Sequence, residues 1–152
     1  MIGGLEEHKM KAAGNIKVRS HPGANIRDMY DHLEPHLTKK PSKIVLHIAT
    51  NNTVDQTSEQ ILNEIFELDT WIDGKTRGAV ERIYSMPISR YDDAIGTITT
   101  KHLQAKMRNS GLKIIDHSNI DKEQLGKKMH HLNNTGTKLL ASNLINFLKQ
   151  NE

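Results

Sequence analysis

Three short polar clusters, each placed after an apolar segment, carry the residue types that could do chemistry in this sequence. They run from Ser20 to Ala24, from Ala49 to Asn52 and from His131 to Gly136. In a parallel sheet the loops that follow the strands meet at one edge, where such sheets bind ligands. We expect the first two clusters to meet at that edge and the third, at the mouth of the last helix, to reach it.

Within these clusters, Gly23, Asn51 and His131 indicate one kind of chemistry. A backbone N–H such as that of Gly23 and a side-chain amide such as that of Asn51 are donors that stabilise a developing oxyanion. Histidine is the residue that most often transfers protons in catalysis. Together the three residues predict two of the three parts of an acyl-transfer site, the oxyanion donors and the general base. The third part, the nucleophile, is lacking.

The elements that must position these clusters are arranged around the stretch Lys43–Asn52, which reads KIVLHIATNN. Its continuous apolar run with β-branched residues predicts a strand over 43–49 that is buried on both faces, as in a parallel sheet. The polar end of that strand supplies the second cluster.

The rest of the chain alternates between strand-like and helix-like segments, which implies a parallel sheet with helices on both faces. No linker divides it, so we expect a single domain over 1–152. Pro35 is expected to kink the helix that contains it or to cost that helix one hydrogen bond. The predicted strands, besides 43–49, are 15–19, 80–86 and 112–115, and the predicted helices are 2–12, 25–39, 61–72, 89–109 and 139–148, with a helical turn over 122–125.

Charge and composition exclude several classes of protein. The 21 basic and 18 acidic residues nearly balance, and the basic ones are scattered, so the case for nucleic acid is weak. The chain has no cysteine, which excludes disulfides, thiolate metal sites and a cysteine nucleophile and fits a reducing compartment. No apolar stretch of about 18 residues and no signal peptide are visible, so we expect a soluble intracellular protein without a membrane span.

The blocks VRSHPGA, IVLHIATNN and HHLNNTGTKLL resemble the SGNH hydrolase superfamily, and more closely the SGNH-type esterase-like domains of animal mobile-element and retrotransposon-related proteins. The resemblance runs from Met1 to about Phe147. It implies a flavodoxin-like three-layer α/β/α sandwich. It also implies that full-length relatives hydrolyse an ester substrate with a serine nucleophile, without a cofactor or a metal.

The resemblance assigns roles to individual residues. Gly23 matches the second family block and Asn51 the third, so both are expected in the oxyanion hole, while His131 matches the catalytic histidine and is expected to be the general base. Thr50 and Asn52 flank Asn51 and are expected to bind substrate, although Asn52 stands where the family has an aspartate.

Two further positions depart from the family pattern. Ala49 stands where the third block has a glycine. Lys128 stands where the acid partner of His131 would be, which leaves Asp116, Asp121 or a backbone carbonyl to orient the imidazole.

The largest departure is the absence of the Gly-Asp-Ser block, which holds the nucleophile in the family. In similar sequences that block directly precedes the residues that match the start of this chain, so we expect an N-terminally truncated domain without its central first strand. A replacement serine would need a strained strand-to-helix turn with a base nearby, a pattern that Ser20, Ser85 and Ser89 do not show. The resemblance therefore implies an esterase by descent that is catalytically inactive.

Each of these residues also has an interpretation without function. Gly23 after a proline is typical of an ordinary turn, Asn51 of a loop cap, and His131 of a surface or capping histidine. His47, inside a predicted strand, is expected to be a packed and fully hydrogen-bonded core residue. Adjacent His130 and His131 diverge on a helix, so we expect no metal site there.

A second hypothesis, from another class, is a non-catalytic module of a mobile-element-derived protein that binds nucleic acid or a protein partner. Its basis is the slight basic excess. A fragment without function is a third hypothesis. The lysines that support nucleic acid binding are Lys39, Lys40, Lys43, Lys127 and Lys128.

Overall fold

The structure is a computed structural model that describes residues 5–152, except for the side chain of Lys9. It contains three strands and four α-helices in the order α1 Met29–Leu37, β1 Lys43–His47, α2 Ser58–Thr76, β2 Glu81–Ser85, α3 Ala94–Arg108, β3 Ile114–Ile115 and α4 Asn134–Gln150. Three short 3-10 segments cover Glu7–Ala13, Asn52–Val54 and Lys122–Gln124. None of the described helices is long and apolar enough to cross a membrane.

The described strands form one parallel sheet in the order β1-β2-β3. The register pairs Leu46 with Tyr84 and His47 with Ser85, and Ser85 in turn pairs with Ile115. The carboxyl ends of all three strands therefore lie at one edge of the sheet, as the alternation of elements predicted.

Two apolar cores cover the two faces of this sheet. The first core joins Leu46 and Tyr84 to α1, α2 and α3, for example through Ile65 and Leu103, which are fully buried. The second joins strand residues such as Ile83 to α4 and to the N-terminal 3-10 segment. The prediction of a three-layer α/β/α sandwich is confirmed.

Caps explain where the helices begin and end. Thr57 and Gln60 form a capping box that starts α2 three residues before the predicted apolar stripe, and Arg77, at φ 52°, ends it in the left-handed region. Asp93 caps α3, and Asn133 caps α4 by accepting a hydrogen bond from Gly136 N–H at 2.9 Å. The observed helices thus follow the caps rather than the first apolar residue.

The predicted helix over 25–39 is shorter in the structure. Asn25 and Asp28 bond reciprocally, with Oδ1 of Asn25 accepting from Asp28 N–H at 3.1 Å and Oδ2 of Asp28 accepting from Asn25 N–H at 2.8 Å. This turn delays the start of α1 to Met29. Pro35 lies within the last turn of α1, where the missing N–H costs one helical hydrogen bond.

The prediction of a strand over 15–19 is wrong. Ile16 and Val18 pack against the second core, but the segment forms no ladder with β1 or with any other described strand. Alternating side chains can satisfy packing, whereas a strand also needs a neighbouring backbone to bond. The predicted helix over 2–12 is replaced by the 3-10 segment Glu7–Ala13, and its first residues lie outside the described range.

Candidate active site

The first two polar clusters are in contact. The side-chain Nδ2–H of Asn51 donates to the carbonyl oxygen of Ala24 at 2.8 Å, which ties the loop after β1 to the turn that contains Gly23. Gly23 has φ +79°, and no atom lies within 4 Å of the position that a Cβ would take. The turn is therefore open to solvent on that side, and glycine is required by its backbone angle rather than by lack of space.

Asn52 is a buried tether in this structure rather than an open binding group. It is 4% exposed. Its Oδ1 accepts from Ile26 N–H at 3.3 Å, and its Nδ2 donates to Oε1 of Gln56 at 2.6 Å and to Oε2 of Glu64 at 3.4 Å. Its amide thus holds the start of the α1 region against the loop after β1. Its predicted role in binding substrate stays a prediction.

Ala49 adopts the conformation that the family glycine would favour. Its φ is +82°, in the region that L-residues with a side chain rarely occupy, and it is 3% exposed within the first core. The carbonyl of Ala49 then accepts from Asn52 N–H at 3.0 Å, which closes the turn that presents Asn51. The departure from glycine thus changes the residue while the turn keeps a glycine-type backbone.

Thr50 joins this loop to the segment that precedes α3. Its carbonyl oxygen accepts from Oγ1 of Thr53 at 2.8 Å and from Nη1 of Arg90 at 3.4 Å. Its own Oγ1 is buried without a hydrogen-bond partner in the described part of the chain. A buried hydroxyl without a hydrogen-bond partner costs free energy of folding, so the side chain of Thr50 destabilises the loop.

The third cluster begins on a loop that folds back on itself and continues into the first turn of α4. Leu125 and Leu132 form an isolated antiparallel bridge, and Gly126 N–H donates to the carbonyl of His131 at 2.7 Å. Met129, at φ 58°, turns the chain between them. Tyr91 N–H donates to the carbonyl of Met129 at 2.9 Å, so this loop is attached to the segment before α3.

His131 is exposed, and its imidazole has no hydrogen-bond partner among the described residues. Desolvation lowers its pKa from the ordinary value, the neighbouring His130 and Lys128 lower it further, and Asp92 acts in the opposite direction. At neutral pH it is a neutral imidazole that could accept a proton. Within the described residues, no carboxylate orients it.

The two aspartates that the sequence left as partners for His131 are engaged elsewhere. Oδ2 of Asp116 accepts from Nε of Arg108 at 2.9 Å, and Oδ1 accepts from Ser118 N–H at 2.8 Å. Asp121 accepts from the hydroxyl of Tyr91 and caps the 3-10 segment Lys122–Gln124. Both pKa values are lowered by these partners, Arg108 and Tyr91 respectively.

A carboxylate contacts the neighbouring histidine instead. Nδ1 of His130 lies 3.2 Å from Oδ2 of Asp92 and 2.9 Å from the carbonyl oxygen of Lys128. Arg90 holds that carboxylate with two bonds, from Nε to Oδ1 at 2.7 Å and from Nη2 to Oδ2 at 2.6 Å. The imidazole centroids of His130 and His131 are 4.0 Å apart.

A second cluster of histidines, separate from His130 and His131, lies at the carboxyl ends of the three strands. Oγ of Ser85 lies 2.8 Å from Nδ1 of His47 and 2.7 Å from Nε2 of His117. Nδ2 of Asn143 donates to Nδ1 of His117 at 3.0 Å and to Oδ1 of Asn119 at 2.7 Å. With Nδ1 of His117 as acceptor, its Nε2–H donates to Ser85, and the Ser85 hydroxyl donates to His47.

Burial decides the charge state of this cluster. Desolvation lowers the pKa of His117 to about 4 and, together with the nearby His117, that of His47 to about 3. Nε2 of His47 is buried without a partner in the described residues, so His47 is packed but not fully satisfied, contrary to the expectation. Ser85 is 1% exposed, so its hydroxyl cannot reach an ester despite its imidazole neighbours.

The sequence predicted neither of two hydrogen-bond networks, that of Ser85 with His47 and His117 and that of Asp92 with His130. The reasons differ. Ser85 lies one residue before the end of the predicted strand 80–86, and His117 follows the predicted strand 112–115, so their shared edge was available as a signal. Asp92 carries no such signal, because the sequence predicts it inside a helix over 89–109, whereas in the structure it precedes α3 and meets His130 through the loop. Among the described residues, no group of three or more histidines and carboxylates could hold a metal ion.

Neither a protein-family model nor a curated protein matches this sequence. Solved structures do match it. A lipase/acylhydrolase from Enterococcus faecalis superposes with a TM-score of 0.68 at 18% identity, over 99% of this chain and 86% of that one. This chain has the SGNH hydrolase fold.

Two further structures share the SGNH hydrolase fold with this chain at similar levels. A carbohydrate esterase of family 3 from Talaromyces cellulolyticus has a TM-score of 0.69 and 15% identity, over 86% of this chain and 69% of that one. A mutant acetyl esterase with an acetate ion has a TM-score of 0.69 and 14% identity, over 87% of this chain and 72% of that one. At these identities the likeness concerns the fold.

Proposed function

We propose that this chain is an SGNH-type esterase domain by descent, in which the oxyanion-binding side of the site is retained and catalytic turnover is absent or very weak. The proposal combines the SGNH hydrolase fold, shared with structures of esterases and lipases, with the residues at the carboxyl edge of the sheet.

The observation that carries the proposal is the bond from Asn51 Nδ2 to the Ala24 carbonyl at 2.8 Å. It joins the two loops that bear the candidate oxyanion donors, Gly23 N–H and the Asn51 amide. The amide of asparagine has two protons, so one N–H of Asn51 is left over for a ligand. Two adjacent donors of this kind would stabilise the negative oxygen of a tetrahedral intermediate.

The nucleophile is the missing part of the proposed site. Ser85 is enclosed between two imidazoles in the core, and Oγ of Ser89 lies 3.3 Å from Nε2 of Gln104, which donates to it. Without a serine at an exposed strand-to-helix turn, an ester carbonyl could be polarised but would meet no activated alkoxide. General base catalysis on water by an imidazole would then be the remaining route, and from His131 it is slow, because no described carboxylate orients that ring.

Hydrolysis of p-nitrophenyl acetate by the 152-residue chain tests this proposal. We expect no saturable turnover above the rate of free imidazole at the same concentration, and the same rate in His131→Ala. Saturable turnover that disappears in His131→Ala would overturn the claim of inactivity. The variant His102→Ala is the matched control, because His102 is an exposed histidine on α3.

The alternative of nucleic acid binding gains no support from the described residues. Nζ of Lys43 lies 3.4 Å from Oε2 of Glu81 and donates to the carbonyl of Asn151 at 2.8 Å, so one of the five lysines on which it rested is internally paired. Retention on nucleic acid that weakens with salt would revive this alternative.

A further inference from the structure

We propose that His130 is the histidine of this site that accepts acyl groups and transfers protons. Asp92 contacts its imidazole and is its positioning residue. The inference deepens the proposed function and rests on it, because it assigns reactivity within the same esterase-type site. It moves the role that the sequence resemblance gives to His131 by one residue and supplies a carboxylate from a different loop.

The first argument is the geometry around Nδ1 of His130. That nitrogen lies 2.9 Å from the carbonyl oxygen of Lys128 and 3.2 Å from Oδ2 of Asp92. Both neighbours are acceptors, so Nδ1 must carry the proton, and the lone pair of the neutral ring is on Nε2. A fixed tautomer with a free Nε2 is what a general base or an acyl acceptor needs.

The second argument is that Asp92 is itself held in place. Arg90 binds both carboxylate oxygens, and its side chain is 11% exposed, against 23% for Asp92 and 29% for His130. This pairing lowers the pKa of Asp92, first through its hydrogen bonds with Arg90. The carboxylate thus stays ionised and cannot rotate away from the imidazole, which is the condition for an orienting partner.

The third argument is the connection to the candidate oxyanion loop. Nη1 of Arg90 reaches the carbonyl of Thr50 at 3.4 Å, and Thr50 directly precedes Asn51. Tyr91 N–H binds the carbonyl of Met129, beside His130. The segment 90–92 therefore links the loop of Asn51 to the loop of His130, whereas the imidazole of His131 has no partner among the described residues.

The reactivity that follows is acyl transfer from an activated donor to the ring. Nε2 of neutral His130 attacks the acyl carbon, the bond from that carbon to the leaving oxygen breaks, and the electron pair departs with that oxygen. The ring is then positively charged until Nδ1 releases its proton to water, and water later cleaves the acyl–nitrogen bond. Asp92 stabilises the positive ring that forms during the attack.

Labelling with diethyl pyrocarbonate, a small activated acyl donor, tests the proposal at one fixed pH. Mass spectrometry gives a rate constant for each histidine, with His130→Ala and His131→Ala to separate the two neighbours. We expect His130 to react at least as fast as the more exposed His131. Asp92→Asn should slow the labelling of His130 on the order of tenfold, the scale found when the carboxylate partner of a metal-ligating histidine is removed. Asp92→Glu should restore most of the labelling rate.

The chain offers matched controls for this experiment. Nδ1 of His8 lies 3.1 Å from Oε2 of Glu6, an exposed imidazole–carboxylate pair that does not include Asp92, so its labelling rate should not change in Asp92→Asn. Asp55→Asn removes an exposed carboxylate from the loop after β1 and should leave His130 unchanged. Circular dichroism checks that each variant is folded.

A spectroscopic measurement covers the case in which Asp92→Asn does not fold. Long-range ¹⁵N–¹H correlation spectra of the unaltered chain should show His130 as the Nδ1–H tautomer, and an Nε2–H tautomer would overturn the proposal. Faster labelling of His131 than of His130, or no effect of Asp92→Asn, would overturn it as well. These outcomes are separate from ester turnover, so the inference can fail while the proposed function stands.

Discussion

The hydroxyl oxygen of Ser85 lies 2.7 Å from Nε2 of His117 in the core of the sheet. The same oxygen lies 2.8 Å from Nδ1 of His47, so one hydroxyl serves the buried imidazole of His117 and the partly buried imidazole of His47. Replacing Ser85 by alanine leaves both nitrogens without a partner. We expect Ser85→Ala to lower the free energy of unfolding by about 2–6 kcal/mol, since each of the two unsatisfied polar groups costs about 1–3 kcal/mol.

Urea unfolding measures this effect, with Ser118→Ala as the control. Ser118 is exposed, and a substitution there should change the free energy of unfolding by less than about 0.5 kcal/mol. Equal effects of the two substitutions would show that the hydroxyl of Ser85 does not stabilise the imidazoles.

The lowered pKa values of His47 and His117 predict that acid destabilises the protein. Both folded values, about 3 and about 4, lie below the ordinary value of 6.5. Below pH 6.5 the unfolded chain therefore binds protons that the folded chain does not, and stability falls as the pH falls towards these values. Each group contributes up to about 1.4 kcal/mol per pH unit between its two pKa values.

Thermal or urea unfolding between about pH 7 and about pH 4.5 measures this slope. Paired carboxylates such as Asp116, whose ordinary pKa of 3.8 is lowered, lose their contribution below this range. His117→Gln should reduce the slope, because glutamine can accept or donate but does not take up a proton. His102→Gln, on the surface, should keep it, and an unchanged slope in His117→Gln would contradict the assignment.

Gly136 allows the loop that carries His130 and His131 to pack on α4. A Cβ at this position would overlap the carbonyl oxygen of Gln124 and would lie 2.8 Å from Cδ2 of Leu132. The Gln124 carbonyl also accepts from Asn133 N–H at 2.9 Å, so it cannot move without loss of that bond. We expect Gly136→Ala to destabilise the protein by about 1–3 kcal/mol through overpacking.

Gly74→Ala is a control with the opposite sign. No atom lies within 4 Å of its Cβ position in α2, and Gly74 is exposed. Alanine should therefore stabilise the helix by about 0.5–1 kcal/mol. Thermal melts of the two variants should move in opposite directions, and a rise for Gly136→Ala would show that the loop can yield.

The bond from Asn51 to Ala24 predicts a local effect on the turn of Gly23. Asn51→Ala should lower the free energy of unfolding by about 1 kcal/mol, as for a single exposed hydrogen bond. It should also speed hydrogen exchange at the amides of His21, Gly23 and Ala24, because the turn loses its tether. Asn134→Ala, at an exposed position at the start of α4, should leave exchange in that turn unchanged.

The layers of this fold were predictable because burial leaves a periodic pattern in the chain. The apolar run of residues 44–48 and the helical stripes of α2 and α4 are local signals of a parallel sheet covered on both faces. The segment 15–19 shows the limit of that logic. Its alternation reflects packing of Ile16 and Val18, whereas a strand depends on a neighbouring backbone that no local pattern reports.

At the site, residue types and their order were enough to show which loops carry polar groups and that Gly23, Asn51 and His131 belong to them. The folded chain alone established which of these groups have partners. Asp92 and His130 are far apart in sequence and meet through loop folding. Ser85 pairs with Ile115 in the sheet, and this pairing brings it to His117, two residues further on. Hydrogen bonds depend on distances of a few ångströms between residues remote in sequence, and residue type and spacing do not encode those distances.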